Sequence, residues 1–90
     1  MVTILKEAQK IVDGIKEIEY GSIKKSFNRI SYLWANYLHC VITPQDVAMM
    51  MILFKIVREK NKHKRDNLVD ICGYAYCLEK LLDENSTATS

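Results

Sequence analysis

The apolar positions of the chain fall into four stretches with helical spacing. After Thr3, Ile4, Leu5, Ala8, Ile11, Val12, Ile15 and Ile18 recur every three or four residues, with Lys and Glu between them. This predicts a first helix over about 3–18, with Thr3 as its N-cap. Tyr20-Gly21-Ser22 interrupts the pattern, and Ser22 is placed to cap a second helix. The stripe of that helix is Ile23, Phe27, Ile30, Trp34, Tyr37 and Leu38, widened by Leu33, and it ends near His39. Val41-Ile42 is a short connector. Thr43-Pro44-Gln45-Asp46 is the strongest local signal: a Thr cap, Pro at the first helical position, and Asp three residues after the cap, near the positive end of the helix. Helix 3 is expected from there to about Lys60, followed by a polar basic turn over Asn61 to Arg65. Helix 4 is expected from near Asp66 to about Asp83, on Leu68, Val69, Ile71, Cys72, Ala75, Tyr76, Leu78 and Leu82. Residues 84–90 are small and polar and read as a disordered tail. No alternating stretch of useful length exists. The expected fold is all-α, a four-helix antiparallel bundle in one domain over residues 1–83.

One stretch does not fit a simple surface helix. Val47 to Phe54 is a run of eight consecutive apolar residues inside helix 3. A surface helix needs one apolar stripe; a helix that is apolar all round has to be covered all round. Three other helices in a chain of 90 residues can barely supply that cover. The run therefore predicts that helix 3 is central and that a homo-oligomer, a dimer or higher, completes the bundle and forms its sites between subunits. Met49-Met50-Met51 suits an adaptable interface.

Composition narrows the picture. Thirteen basic residues against 11 acidic ones give a net charge of +2, too balanced for bulk nucleic-acid binding. One Pro and three Gly leave few interruptions, which favours long helices. Cys40, Cys72 and Cys77 are odd in number, lack metal-site spacing and sit in apolar neighbourhoods, so they read as buried thiols of a reducing compartment. The apolar run is far too short for a membrane span, and the first residues are amphipathic rather than a leader. A cytoplasmic protein is expected.

The chemistry-bearing residues concentrate on helices 3 and 4. Asp66 and Asp70 are four apart on one face, and Tyr74 continues it. If the two helices fold back near residue 62, Arg58 lies level with Asp66 and Lys55 with Asp70. That quartet has two readings. It is a pair of interhelical salt bridges fixing register, or a site where Lys55 and Arg58 hold phosphate while the carboxylates hold Mg²⁺ or a sugar hydroxyl. The basic turn from Lys60 to Arg65 is either a solvated loop or a lure for an anion at the N-terminus of helix 4. His39 and His63 are isolated. Phe27, Tyr32, Trp34 and Tyr37 read as core or interface residues, with base stacking as the alternative.

Several segments carry a resemblance. These are Tyr20-Gly21, Phe27-Asn28-Arg29-Ile30, Leu33-Trp34-x-x-Tyr37-Leu38, Ile42-Thr43-Pro44-x-Asp46-Val47-Ala48-x-Met50-Met51, Lys55-Ile56-x-Arg58 and Lys64-Arg65-Asp66-Asn67-x-Val69-Asp70-Ile71-x-Gly73-Tyr74. Over about residues 5–80 the chain resembles a family of small proteins encoded by tailed phages and prophages. The resemblance implies a bacterial host cytoplasm as the setting and brings no activity with it. More distantly, the chain is similar to all-α nucleoside triphosphate pyrophosphohydrolases of the MazG kind, oligomeric proteins that hold Mg²⁺ with an EExxE-type and an ExxD-type motif. Asp66-x-x-x-Asp70 looks like the later motif with altered spacing. The earlier one is missing: helix 3 offers Asp46 and then Val, Ala and Met.

Three functions follow as expectations. The first is an oligomeric nucleotide-binding protein without turnover, sequestering a linear or cyclic nucleotide signal of host antiviral defence. Its ligand would meet Lys55, Arg58, Asp66 and Asp70, with Asn28, Trp34 and Tyr74 for the base, and it needs no cofactor. The second is a divergent MazG-like pyrophosphohydrolase with Asp66 and Asp70 as Mg²⁺ ligands and Asp46 contributing. The third is a non-enzymatic adaptor or inhibitor that binds a host or phage protein. The balance lies against catalysis.

Overall fold

The computed structural model describes residues 2–20 and 23–89, with side chains over 2–14 and 23–83. It contains four helices: α1 (Ile4–Tyr20), α2 (Ile23–Leu38), α3 (Pro44–Asn61) and α4 (Arg65–Thr89). No strand occurs among the described residues. The all-α, four-helix expectation holds.

The helix boundaries are set locally. Thr43 Oγ1 accepts the Asp46 N–H at 3.0 Å, and Asp46 Oδ2 accepts the Thr43 N–H at 3.0 Å, so α3 opens on a full capping box with Pro44 behind it. At α1 the Lys6 N–H reaches Thr3 Oγ1 at 3.2 Å. The cap expected at Ser22 lies outside the described residues. α2 closes at His39, whose φ of 56° is left-handed, and the Cys40 N–H returns to the Ala35 carbonyl at 3.2 Å. That is a Schellman-type close with His where Gly is usual. α4 runs past Asp83, where the apolar pattern stops, because neither Gly nor Pro stands there to end it. The side chains of the expected tail, residues 84–90, lie outside the described ones.

α4 is the helix that packs on both α1 and α3, while α2 rests on α3 and only lightly on α1 and α4. This corrects the expectation that α3 is central. α3 buries Val47 and Ala48, with Met51 packed against the same core. Its opposite side leaves Met49, Met50, Leu53, Phe54, Ile56 and Val57 exposed. A continuous apolar run reports that cover is wanted, not that this chain provides it. Among the described residues the buried apolar core is Ala8, Val12, Phe27, Val47, Ala48, Val69, Cys77 and Leu81. A radius of gyration of 13.9 Å exceeds the value of about 12 Å typical for a chain of this length.

Candidate functional site: an aromatic cleft beneath α2

Because α2 is held mainly along its seam with α3, a cleft of about 950 Å³ remains between it and the other three helices. The inward positions of α2 are Ile23, Phe27, Ile30 and Trp34, spaced three or four apart, so they form one stripe over the opening. α4 supplies the floor through Val69, Gly73, Tyr74 and Cys77. At Gly73 α4 lies against α1: a Cβ there would sit 3.7 Å from Val12 Cγ2, an ordinary contact. Arg29 and Lys25, a turn apart on α2, bring cationic side chains to the wall. Among the described residues, Asp70 brings the one carboxylate.

Lys55 Nζ lies 3.0 Å from Asp70 Oδ2, with the lysine side chain 18% exposed and the aspartate side chain 40%. This is the pair expected from folding the α3–α4 hairpin near residue 62. Tyr74, half-buried beside them, has its phenol pushed above the ordinary range by desolvation, opposed by the positive charge of Lys55. It therefore stays protonated at neutral pH and presents a hydroxyl donor or acceptor to the cleft.

The other half of the expected quartet does not form. Arg58 is exposed, with its guanidinium 5.7 Å from the centre of the Phe54 ring, and Asp66 is exposed with no ion pair among the described residues. The reason is helical phase. One turn on from Lys55, the residue that faces α4 is Glu59, four away, not Arg58, three away. Glu59 Oε1 accepts the Lys64 N–H at 3.0 Å and the Asn67 side-chain amide at 3.3 Å, and its other oxygen pairs with His63. Those donors, His63 first, hold the Glu59 carboxyl below the usual carboxylate range. This network also corrects the reading of the basic turn. The N-terminus of α4 already holds an anion, the chain's own Glu59, and Arg65 is committed to Glu7 and to the Val2 carbonyl, the latter at 2.8 Å.

Asn28 is exposed and turned away from the cleft, whereas its neighbours Phe27 and Arg29 line it. Trp34 lines the cleft as well, so of the residues proposed from sequence Asp70, Tyr74 and Trp34 line the same cleft, Lys55 meets them through Asp70, and Arg58, Asp66 and Asn28 lie elsewhere. Arg29 and Lys25 were missed. The signal was their spacing beside the Ile23–Phe27–Ile30–Trp34 stripe, which a search for basic residues on helices 3 and 4 passes over. Tyr32 and Tyr37 point to solvent, and Cys40 is exposed rather than buried. No group of three His, Cys, Asp or Glu among the described residues is placed to hold a metal ion. Asp70 already faces an ammonium and no third such ligand joins the two aspartates among the described residues, so this acid pair makes a poor Mg²⁺ cage.

Residues 3–82 match the family described as "Domain of unknown function (DUF6378)". The chain belongs to that family. Among curated proteins, the DUF6378 chain is 45% identical over 82 residues to the "Gene 55 protein" of Mycobacterium phage L5, across 89% of its own length and 53% of that protein's. It is 40% identical over 83 residues to the "Gene 55 protein" of Mycobacterium phage D29, across 91% and 55% of the respective lengths. The chain thus spans about half the length of these relatives. Both are phage proteins, in agreement with the phage family that the motifs resemble. No solved structure matches the chain. No helix among the described residues is long and apolar enough to cross a membrane.

Proposed function

We infer that this DUF6378 protein is a nucleotide-binding protein without turnover, taking its ligand in the cleft beneath α2. In the phage setting such a protein would sequester a linear or cyclic nucleotide signal of host defence. The observation that carries the reading is the make-up of the cleft: Trp34, Phe27 and Tyr74 on the walls, with Arg29 and Lys25 at one side. A planar base gains from stacking on aromatic faces, about 1–3 kcal/mol per base. Phosphate oxygens gain from a guanidinium that can donate two parallel hydrogen bonds. The volume, about 950 Å³, falls in the upper range of small-molecule sites. The Lys55 ammonium against Asp70 counts against a Mg²⁺ cage there, which favours binding over hydrolysis.

The test is a thermal-shift screen of linear and cyclic nucleotides, with and without Mg²⁺, followed by recovery of the ligand. A ligand at hundredfold excess over its Kd stabilises by about 2.7 kcal/mol. Trp34 is the chain's one tryptophan, so binding there changes its fluorescence directly. Arg29→Ala is expected to weaken binding by about 1.5–3 kcal/mol, the scale of a charged hydrogen bond. Mg²⁺-dependent release of pyrophosphate, lost in Asp70→Asn, would replace this reading with the hydrolase. Silence from every nucleotide would leave protein binding. That second reading is favoured by the apolar side chains exposed on α3 and by Tyr32, Leu33, Tyr37 and Leu38 on α2.

A further inference from the structure

The exposed side of α3 has an internal order that its apolar content alone does not require. Asp46, Leu53 and Lys60 recur every seven residues, with Met49 and Ile56 three residues after the first two of them and Met50 and Val57 beside those. All seven are exposed, the apolar ones between 40% and 67%. They form a single heptad stripe on the side of the helix opposite Val47, Ala48 and Lys55. The stripe is apolar in the middle, acidic at one end and basic at the other. Asp46 and Lys60 are equidistant from Leu53 along the chain, as are Met49 and Val57, and Met50 and Ile56.

That pattern is complementary to itself when reversed. We propose that the outer face of α3 is the self-association surface of this protein: two copies pair antiparallel about a two-fold axis at Leu53, with Asp46 of each copy against Lys60 of the other. An isologous interface needs each residue to be matched by its symmetry mate. Here Leu53 meets its own copy, Met49 meets Val57, Met50 meets Ile56, and the two end charges attract. A parallel pairing would set Asp46 on Asp46 and Lys60 on Lys60. Both charges can take part. Asp46 uses Oδ2 for the Thr43 cap and keeps its second oxygen, and Lys60 has no ion pair among the described residues. An uncovered stripe of this size is unusual on a monomer, and the adjoining methionines let two such surfaces fit without a pre-cut shape. The pairing leaves the cleft beneath α2 to its ligand, so it stands independently of the function proposed above.

The experiment measures mass in solution by sedimentation across the micromolar range, with circular dichroism on every variant. The full chain is expected to be dimeric. Leu53→Glu, at an exposed position that the fold does not need, is expected to be helical and at least tenfold weaker in self-association. Lys60→Glu weakens it several-fold, and adding Asp46→Lys to Lys60→Glu returns it toward the starting value, because reversing both charges restores both pairs. In a Cys40→Ser background, Leu53→Cys is expected to crosslink to itself on oxidation and Lys60→Cys is not. A monomeric full chain, a Leu53→Glu protein as dimeric as the original, or self-crosslinking at residue 60 in place of 53 overturns the proposal.

Discussion

The seam between α3 and α4 and the seat of α2 are built from similar residues and end up very different. Along the seam, Val47, Ala48 and Val69 are buried, Lys55 is paired with Asp70, and Glu59 ties together His63, Lys64 and Asn67. α2 brings Ile23, Phe27, Ile30 and Trp34, larger side chains than those of the seam, yet only Phe27 is buried among them. The contrast shows that larger apolar side chains do not by themselves make packing tight. Small residues at Val47 and Ala48 let two helices approach closely, and polar pairs at the far end fix their register. Large residues on α2 hold it off and leave a cleft. Stability is concentrated in the seam, and space for a ligand lies beneath α2.

The sharpest break of that comparison is a pair of truncations. Val47→Ala removes little volume from a side chain that is 1% exposed, and is expected to cost about 2 kcal/mol. Trp34→Ala removes far more and is expected to cost no more than that, because its side chain is only partly buried and lines the cleft. A fully buried tryptophan would cost about 3–5 kcal/mol. Urea unfolding of both variants decides the matter. A Trp34→Ala loss in the upper range means that α2 is tightly seated and the cleft is closed in solution.

A smaller effect separates the two ends of the one ion pair along the seam. Asp70→Ala leaves Lys55, whose side chain is the more enclosed of the two, without its partner, and is expected to cost about 1–2 kcal/mol. Lys55→Ala leaves a carboxylate that water reaches more freely, and is expected to cost less, about 1 kcal/mol or under. Equal losses in unfolding experiments would show that the pair is solvated at both ends and that the seam is looser there than its geometry implies.

The seam was also the more legible region. Thr43-Pro44-Gln45-Asp46 announces its helix start because every group in a capping box is local, and the short turn near residue 62 sets Lys55 level with Asp70. The second expected pair, Arg58 with Asp66, was misread, since whether Arg58 or Glu59 faces α4 turns on a difference of one residue in helical phase. The place of α3 was misread for a different reason. Val47 to Phe54 specifies an apolar surface all round a helix, and no property of the run says whether the missing cover comes from this chain. The cleft was invisible because it depends on how far α2 stands off, which is a property of tertiary packing. Arg29 became a candidate only when Phe27 and Trp34 were seen to face inward beside it.

At the close of α2, the left-handed His39 is a small local cost. A residue with a Cβ pays about 1 kcal/mol or more in that conformation, and glycine does not. His39→Gly is expected to raise stability by about 0.5–1 kcal/mol, part of the gain being offset by the greater freedom of glycine in the unfolded chain. Thermal unfolding checks it. A loss would mean that the imidazole makes a contact at the α2 end that matters more than the backbone.

The subtlest difference between the two regions is their response to acid. Glu59 is held below its ordinary value of 4.5, chiefly by His63 and by the Lys64 N–H. A carboxyl whose folded pKa is depressed binds fewer protons in the folded state than in the unfolded one. Its contribution is therefore complete above the unfolded value and is lost as the pH falls through the folded one. Unfolding free energy should drop as the pH is lowered through and below 4.5. In Glu59→Gln that part of the slope should vanish, while stability near neutrality also falls because the α4 end loses its anion. On the α2 side, Trp34→Ala should leave the acid slope as it was. A slope unchanged in Glu59→Gln would mean that the turn between α3 and α4 is not held by this carboxylate, and that the register of the seam rests on the Lys55–Asp70 pair and on Val47 and Ala48.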